Sequence, residues 1–285
     1  MPLAETDLAG RALAVYADLR DRAERLAFAT PVTHVYNPLA YAWPAIEQYV
    51  RRYGATPRRV LLLGMNPGPW GMAQTGVPFG EVGAVRDWLE LDARVGKPAR
   101  EHPRRPVLGL ACPRREVSGE RLWGLFAERF GTPSRFFGEH LVLNHCPLVF
   151  LEASGRNRTP DKLPAAEREP LLAVCDAALG ALIDLYRPAW CIGIGTYAQA
   201  RLETVCRRDA GRRQVRVGRL LHPSPASPVA NRGWAAAATR MLVEQGVWED
   251  AAIGRPATAR QAGAAGRRPG SSPGRPAGRT RRGAG

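Results

Sequence analysis

Three polar residues stand close behind short apolar runs in this sequence, and a proline follows each of them within three positions. They are Asn66, Asn144 and His222. Histidine can exchange a proton near neutral pH or donate a hydrogen bond while neutral, and an asparagine amide offers an acceptor beside two donors. One such residue behind a strand is usually a turn residue, but three at one rim predict a binding or catalytic site.

The apolar runs alternate with helical patterns, which is typical of a parallel sheet with helices on both faces. We therefore predict an α/β fold of three layers, in which helices flank a four-stranded parallel β-sheet. The predicted strands cover residues 60–63, 140–143, 188–194 and 214–221. The predicted helices cover residues 8–28, 82–91, 119–130 (with Ser118 as its cap), 165–186, 196–206 and 230–246. Ligands bind outside the carboxyl ends of such strands, where the three polar residues would meet.

Three segments between these elements are predicted as loops. They are an aromatic loop over residues 34–44, a basic loop with four prolines over residues 96–115, and a third loop over residues 153–164. The aromatic loop fits a packed surface segment. Aromatic side chains in a basic neighbourhood can also stack nucleic-acid bases, so both interpretations stay open.

The formal net charge of +15 indicates a polyanionic partner such as nucleic acid. Residues 255–285 hold eight arginines and no acidic residue, and subtracting them leaves +7 on the rest of the chain. We predict a catalytic domain over residues 1–250 and a disordered Arg/Gly/Pro-rich tail over residues 254–285. The tail should raise DNA affinity without sequence preference and in a salt-dependent way.

The five cysteines are odd in number, widely spaced and without a C-x-x-C pair. This pattern argues against a disulfide framework and against a zinc or iron–sulfur site, and it favours reduced thiols in a cytosolic protein. Residues 1–10 lack a basic start with an apolar run, so no signal peptide is predicted. No apolar stretch reaches the ~18 residues that a membrane span needs.

One other motif competes with the strand-end site. Gly193-x-Gly195-x-x-Ala198 follows a predicted strand and opens a helix, as a dinucleotide-binding turn does, but Asp209 is a loose match for the expected ribose-binding acid. The sequence has no Walker-type phosphate loop. A DNA-binding module without catalysis is the stronger rival, since charge alone does not separate it from an enzyme.

The asparagine amide suits one edge of a uracil ring. Its oxygen would accept from N3–H and its NH₂ group would donate to O4, whereas cytosine presents the opposite pattern. Discrimination requires that the amide be held in one orientation. Phe79 lies 13 residues beyond Asn66 and could cover a flat ring, although core packing explains a phenylalanine equally well.

Several motifs together strongly resemble the single-strand-selective monofunctional uracil-DNA glycosylases, a family of the uracil-DNA glycosylase superfamily. The resemblance extends over residues 33–242. The motifs are Gly64-Met65-Asn66-Pro67-Gly68-Pro69, the stretch from Gly71 to Gly80, Asn144-x-Cys146-Pro147-Leu148, Ser154-Gly155-Arg156-Asn157, His222-Pro223-Ser224-Pro225, Asn231-Arg232-Gly233-Trp234 and the stretch from His34 to Trp43. The long opening motif is highly specific, and the histidine motif is shared across the superfamily.

The resemblance implies a role for each candidate residue. Asn66 would position the attacking water, His222 would stabilise the leaving base, Asn144 would read the uracil edge, and Phe79 would stack on the ring. Gly68 and Met72 would line the 5-position, which in the family admits 5-hydroxymethyluracil. DNA contacts would come from Ser224, Pro225, Ala226 and Arg232.

The resemblance also implies a monomer that uses no metal or cofactor. Its partner would be single- or double-stranded DNA containing uracil or a 5-substituted uracil, with no membrane partner. We expect it in the cytoplasm, associated with the nucleoid in a bacterium, or in the nucleus of a eukaryote. Removal of deaminated purines by the same fold stays open as an alternative activity.

The sequence departs from the family pattern behind the histidine motif. The family usually has Arg then Asn there, as part of a wedge that fills the gap left by the flipped base, whereas this chain has Ala226 and Ser227. We expect weaker extrusion of bases from duplex DNA and a stronger preference for single strands. Arg232 is a candidate substitute for the missing wedge.

Overall fold

The structure is a computed structural model that describes residues 7–250. The predicted tail and the first six residues lie outside the described residues. The described residues form seven strands: β1 (Val32–Tyr36), β2 (Val60–Gly64), β3 (His140–Asn144), β4 (Val149–Glu152), β5 (Asn157–Arg158), β6 (Trp190–Ile194) and β7 (Arg216–Leu220). Four of them form the predicted parallel sheet, in the order β3-β2-β6-β7.

The central strand β2 pairs in parallel with a strand on each side. Leu61 pairs with Leu141 of β3 on one side and with Cys191 of β6 on the other. The apolar side chains of β2 are almost completely buried, because a central strand in such a sheet is covered on both faces. The prediction of a four-stranded parallel sheet flanked by helices is confirmed.

Ten α-helices lie between residues 7 and 250. They are α1 (Leu8–Glu24), α2 (Pro38–Tyr41), α3 (Trp43–Tyr53), α4 (Met72–Thr75), α5 (Val117–Phe130), α6 (Pro133–Phe137), α7 (Ala165–Tyr186), α8 (Thr196–Arg207), α9 (Pro228–Asn231) and α10 (Trp234–Glu244). The predicted bounds of α7 are confirmed. None of these helices is long and apolar enough to cross a membrane.

A second sheet was not predicted. Strands β1, β4 and β5 form a three-stranded antiparallel sheet, so the prediction of an aromatic loop over residues 34–44 is wrong. That segment contributes to β1 and α2, and it ends where α3 begins. The pairing joins Tyr36 to Val149, more than a hundred residues away, and such a contact leaves no local signature. The predicted loop over residues 153–164 likewise contains β5 and a 3₁₀ turn, Pro160–Lys162.

Several helix ends differ from the predictions for local reasons. The first helix stops at Glu24. Helix α5 is capped by the Glu116 side chain, which accepts from the Gly119 N–H, and Ser118 lies inside the helix. The helix predicted over residues 82–91 is a π-helix, Ala84–Trp88, closed by a bond from Leu89 N–H to the Ala84 carbonyl.

The last predicted helix is two helices. Gly233, with φ of 124°, separates α9 from α10. A backbone in that region suits glycine, so the chain can turn there before α10 begins.

Candidate active site

A cavity of about 270 Å³ opens at the carboxyl ends of β2 and β3. Its lining includes seven residues predicted for the site: Asn66, Gly68, Met72, Phe79, Asn144, His222 and Ser224. Pro225, Ala226 and Arg232, the remaining predicted residues, are exposed and do not line the cavity. The parallel sheet therefore brings the three strand-end residues to one place, as the topology predicts.

The Asn66 amide is oriented by backbone carbonyls. Its nitrogen donates to the carbonyl of Leu148 at 3.1 Å and to that of Pro67 at 3.4 Å. Only the NH₂ group can make these bonds, because a carbonyl oxygen accepts and does not donate. These bonds leave the amide oxygen of Asn66, a residue of the pocket lining, as an acceptor that can hold a water molecule through one of its protons.

The Asn144 amide has a buried oxygen without a donor among the described residues. Its nitrogen lies 3.2 Å from the Met72 sulfur, which is only an acceptor, so this contact favours one orientation of the amide. An unsatisfied buried acceptor costs about 1–3 kcal/mol, and an N–H donor on a ligand would remove that cost. The Asn144 side-chain oxygen is therefore oriented to accept a hydrogen bond from a ligand.

Gly64 makes room for the groups above the end of β2. A Cβ atom there would lie 2.3 Å from the Asn144 amide oxygen and 2.5 Å from the Phe79 ring. Gly119 has the same function below Phe79, because a Cβ would lie 2.0 Å from the Phe79 carbonyl. Phe79 has a positive φ of 53°, and its carbonyl accepts from the indole N–H of Trp123 at 3.1 Å. Its ring centroid lies 6.0 Å from that of His222.

The His222 imidazole is half-buried, and burial lowers its pKa below the ordinary value of 6.5. It is therefore neutral at neutral pH, with one ring N–H available as a donor. The backbone at Gly195, with φ of 95°, approaches the ring closely enough that a Cβ would lie 3.4 Å from the His222 Cβ.

The loop behind His222 is held by Arg121 of α5. The guanidinium donates to the Pro223 carbonyl at 3.1 Å and to the Asn231 side-chain oxygen at 2.9 Å. The Trp234 indole N–H donates to the Leu221 carbonyl at 2.7 Å. Nothing in the sequence distinguishes Arg121 from other arginines on helices, so sequence reasoning missed it.

Sequence reasoning also missed four pocket residues: Glu116, Ser118, Asn157 and Thr159. Burial raises the pKa of the Glu116 carboxyl, and the nearby Glu81 adds to the shift, while backbone N–H donors oppose it. The Asn157 amide donates to the Pro67 carbonyl at 3.4 Å, and its buried oxygen has no partner among residues 7–250. No group of three or more metal-binding side chains occurs in the described part of the chain.

The model of the uracil DNA glycosylase superfamily matches residues 51–244. The single-strand selective monofunctional uracil-DNA glycosylase of Rattus norvegicus is 52% identical over 233 residues, which cover 81% of this chain and 83% of that protein. The protein of the same name from Bos taurus is 52% identical over 80% of this chain and 84% of its own length. The chain belongs to the uracil DNA glycosylase superfamily. Within it, the chain is a member of the single-strand selective monofunctional family.

The superfamily fold extends to a more distant structure. The crystal structure of wild-type SMUG2 from Pedobacter heparinus matches with a TM-score of 0.59 over 82% of this chain and 97% of that one, at 16% identity. Membership of the uracil DNA glycosylase superfamily also argues against a dinucleotide-binding site at Gly193 and Gly195. Gly193 is needed because a Cβ would lie 2.2 Å from the Gln199 backbone nitrogen in α8, and Asp209 accepts from the Gly211 N–H in a 3₁₀ turn.

Proposed function

We propose that this chain is a monofunctional uracil-DNA glycosylase of base-excision repair. It flips uracil out of DNA and hydrolyses the N-glycosidic bond, which leaves an abasic site. The observation that carries the proposal is the meeting of Asn66, Asn144 and His222 with Phe79 in one pocket. The activity is the one named for relatives that are 52% identical to this chain over about four fifths of its length.

The reaction needs a positioned water and a stabilised leaving group. Water adds to C1′ of the deoxyribose, the C1′–N1 bond breaks, and its electron pair leaves with uracil as an anion. The Asn66 oxygen holds the water, and the released proton passes to solvent. An amide is a poor base, and it suffices because the sugar is already cation-like when water attacks.

His222 acts on the base that leaves. A neutral imidazole can direct its N–H at the negative charge that develops on uracil, and a preorganised donor of this kind is worth roughly 3 kcal/mol. Burial keeps the ring neutral, in agreement with the lowered pKa of His222. Phe79 stacks on the ring, and Asn144 accepts from N3–H and donates to O4.

Among the described residues, none that lines the pocket carries an amine, which favours hydrolysis without strand cleavage. A glycosylase that also cuts the strand forms a Schiff base with a lysine or terminal amine. The sequence has two lysines, Lys97 and Lys162. Both are exposed and paired with neighbouring carboxylates, and neither lines the pocket.

The pocket has space for a substituent on the ring. A Cβ at Gly68 would reach only ordinary contact, 3.7 Å from the Glu116 side chain. We assign this space, with Met72, to the 5-position, so that 5-hydroxymethyluracil is a second substrate. We further propose that the enzyme acts as a monomer on single- and double-stranded DNA, in the nucleoid or nucleus according to the host.

Product analysis tests the proposal. Incubation with a single-stranded oligonucleotide containing one uracil should release free uracil and leave a strand that breaks only after treatment with hot alkali. Strand breaks without alkali would refute the monofunctional assignment. Release of hypoxanthine or xanthine but not uracil would favour the deaminated-purine alternative, and tight DNA binding without any release would favour a non-catalytic module.

A further inference from the structure

A half-buried tryptophan beside the pocket is flanked by two arginines. The Arg105 guanidinium carbon lies 5.0 Å from the Trp70 ring centroid, and that of Arg114 lies 5.6 Å from it. Trp70 sits between Gly68 and Gly71, which both line the pocket. Two residues of extended chain span at most about 7 Å, so Trp70 is held within that distance of the pocket wall at Gly68. We call these three side chains the Trp70 platform.

The platform is fixed by buried hydrogen bonds rather than by its surface contacts. The Gln74 amide is almost completely buried and donates to the carbonyls of Pro69 and Pro106, each at 2.9 Å. These are the residues next to Trp70 and Arg105 in the chain. The Gln74 oxygen accepts from the Leu108 N–H at 2.8 Å. One side chain therefore ties the tryptophan loop to the basic loop, which makes the platform preorganised.

The neighbouring basic loop carries uncompensated charge. Within residues 7–250, no carboxylate lies within ion-pairing distance of Arg104, Arg105 or Arg114. The Arg105 guanidinium instead donates to the Gly155 carbonyl at 2.7 Å, and Arg104 donates to the Ser154 carbonyl at 3.3 Å. Charges that are held in place without a counter-ion suit phosphate groups, and an aromatic ring among arginines suits stacked bases.

We propose that the Trp70 platform binds the nucleotide next to the extruded uracil in single-stranded DNA. Trp70 and a guanidinium plane stack on its base, and Arg105 and Arg114 bind the adjacent phosphates. This inference rests on the proposed glycosylase function. The platform holds a flexible strand by its neighbouring nucleotide, which requires no partner strand and therefore suits a chain that lacks the family's wedge arginine.

Substitutions of Trp70, combined with removal of a base from the DNA, test whether Trp70 stacks on a neighbouring base. Trp70→Ala should raise KM for a single-stranded uracil substrate about tenfold with kcat unchanged, and Trp70→Phe should keep most of the affinity. The same variants are measured on two further substrates, in which the nucleotide on the 5′ or the 3′ side of uracil lacks its base. On one of these two, wild type and Trp70→Ala should have the same KM.

Two results would overturn the inference. One is an equal KM for wild type and Trp70→Ala on the complete substrate. The other is an undiminished difference between them on both substrates that lack a flanking base, because the tryptophan would then act on the pocket and not on a neighbouring base.

A second pair of variants tests the charge. Arg114→Gln should weaken the binding of single-stranded DNA. It should also lower, by about 1, the steepness with which the logarithm of the binding constant falls with the logarithm of the salt concentration. Arg216→Gln is the matched control, because Arg216 is exposed and lies 4.3 Å over the Trp190 ring at the start of β7, at the opposite end of the sheet. Equal slopes for the two variants would contradict the assignment of Arg114 to phosphate.

Binding of an undamaged single-stranded oligonucleotide separates this inference from the proposed function, because it needs no excision. Weaker binding by Trp70→Ala than by Trp70→Phe, measured by fluorescence anisotropy, supports the platform even if no variant releases uracil. Equal binding by the two variants contradicts it even if the wild type is an active glycosylase.

Discussion

At the scale of single residues, Gly64 lies where two pocket groups leave no space for a side chain. Gly64→Ala would place a Cβ 2.3 Å from the Asn144 oxygen and 2.5 Å from the Phe79 ring, so one of them must move. We expect uracil excision to fall by about 100-fold or more, because misplacement of a positioned group by 1 Å has that effect. Single-turnover kinetics on a single-stranded uracil substrate measure the loss.

Gly68→Ala is the matched control for this prediction. Its Cβ would meet nothing closer than 3.7 Å, so uracil excision should persist. Excision of 5-hydroxymethyluracil should decrease, because the methyl group occupies the space assigned to the substituent. Equal losses on both bases in Gly68→Ala, or full activity in Gly64→Ala, would contradict these roles.

Glu116 of the pocket lining makes the stability of the fold depend on pH. Its pKa is raised in the folded protein, chiefly by burial, so the folded state binds the proton more tightly than the unfolded state does. Its contribution to stability is therefore present below the unfolded pKa and is lost as the pH rises through the folded pKa. As the pH rises from the unfolded-state pKa of Glu116 to its folded-state pKa, the melting temperature of Glu116→Gln should increase relative to that of the wild type. A difference in melting temperature that is constant with pH would contradict this account.

The strand-end residues were predictable at this scale, and the wall residues were not. Asn66, Asn144 and His222 each lie at or just beyond the carboxyl end of a strand of one parallel sheet, so topology alone brings them together. Glu116 and Asn157 reach the pocket from a helix cap and a minor strand, whose positions depend on tertiary packing. Charge and amide side chains in loops are too common to single these two out.

At the scale of elements, the loop and short helix behind His222 form the candidate wedge. Arg121 fixes the loop, and Asn231 donates to the Pro225 carbonyl at 2.9 Å. Val229 on α9 is 56% exposed, an unusual exposure for an apolar side chain. Apolar side chains serve as wedges between base steps in other DNA-binding proteins. Ala226 is exposed on the same loop.

Two substitutions test this wedge in opposite directions. Val229→Ser should lower excision from duplex DNA and leave single-strand excision unchanged, because only a duplex has a gap to fill. Ala226→Arg should raise duplex excision by restoring the side chain that the family usually has there. Rates on matched single- and double-stranded uracil substrates measure both effects. Equal wild-type rates on the two substrates would contradict the predicted single-strand preference.

The elements that sequence reasoning missed are those made by distant pairing. Strand β1 exists because it pairs with β4, and its burial pattern does not alternate regularly enough to identify a strand. The main sheet was predictable because three of its four strands, β2, β3 and β6, are nearly continuous apolar runs.

At the scale of the whole molecule, buried histidines make the fold sensitive to acid. His140 donates to the Phe136 carbonyl and accepts from the Trp248 indole N–H, and burial lowers its pKa to about 4. The unfolded state binds a proton from pH 6.5 downward and the folded state does not until about pH 4, so stability falls with pH in this window. Burial shifts the pKa of His34, His145 and His222 in the same direction.

The variant His140→Gln should reduce this acid sensitivity. The wild type should lose on the order of 3 kcal/mol of unfolding free energy through His140 between pH 6.5 and 4, and the variant should lack that part of the slope. Urea denaturation at several pH values measures both slopes. If the unfolding free energies of the wild type and His140→Gln changed equally with pH, His140 would not be the source of the acid sensitivity.

We propose that one pocket removes uracil with the neutral imidazole of His222 and the Asn66 amide, which holds the attacking water. The most direct measurement is single-turnover release of uracil from a single-stranded oligonucleotide by wild type, Asn66→Ala and His222→Ala, at equal and saturating enzyme. We predict rapid release by wild type and a loss of about 100-fold or more in each variant, with DNA binding retained. Release by either variant at the wild-type rate, or an intact substrate with the wild type, would contradict the account.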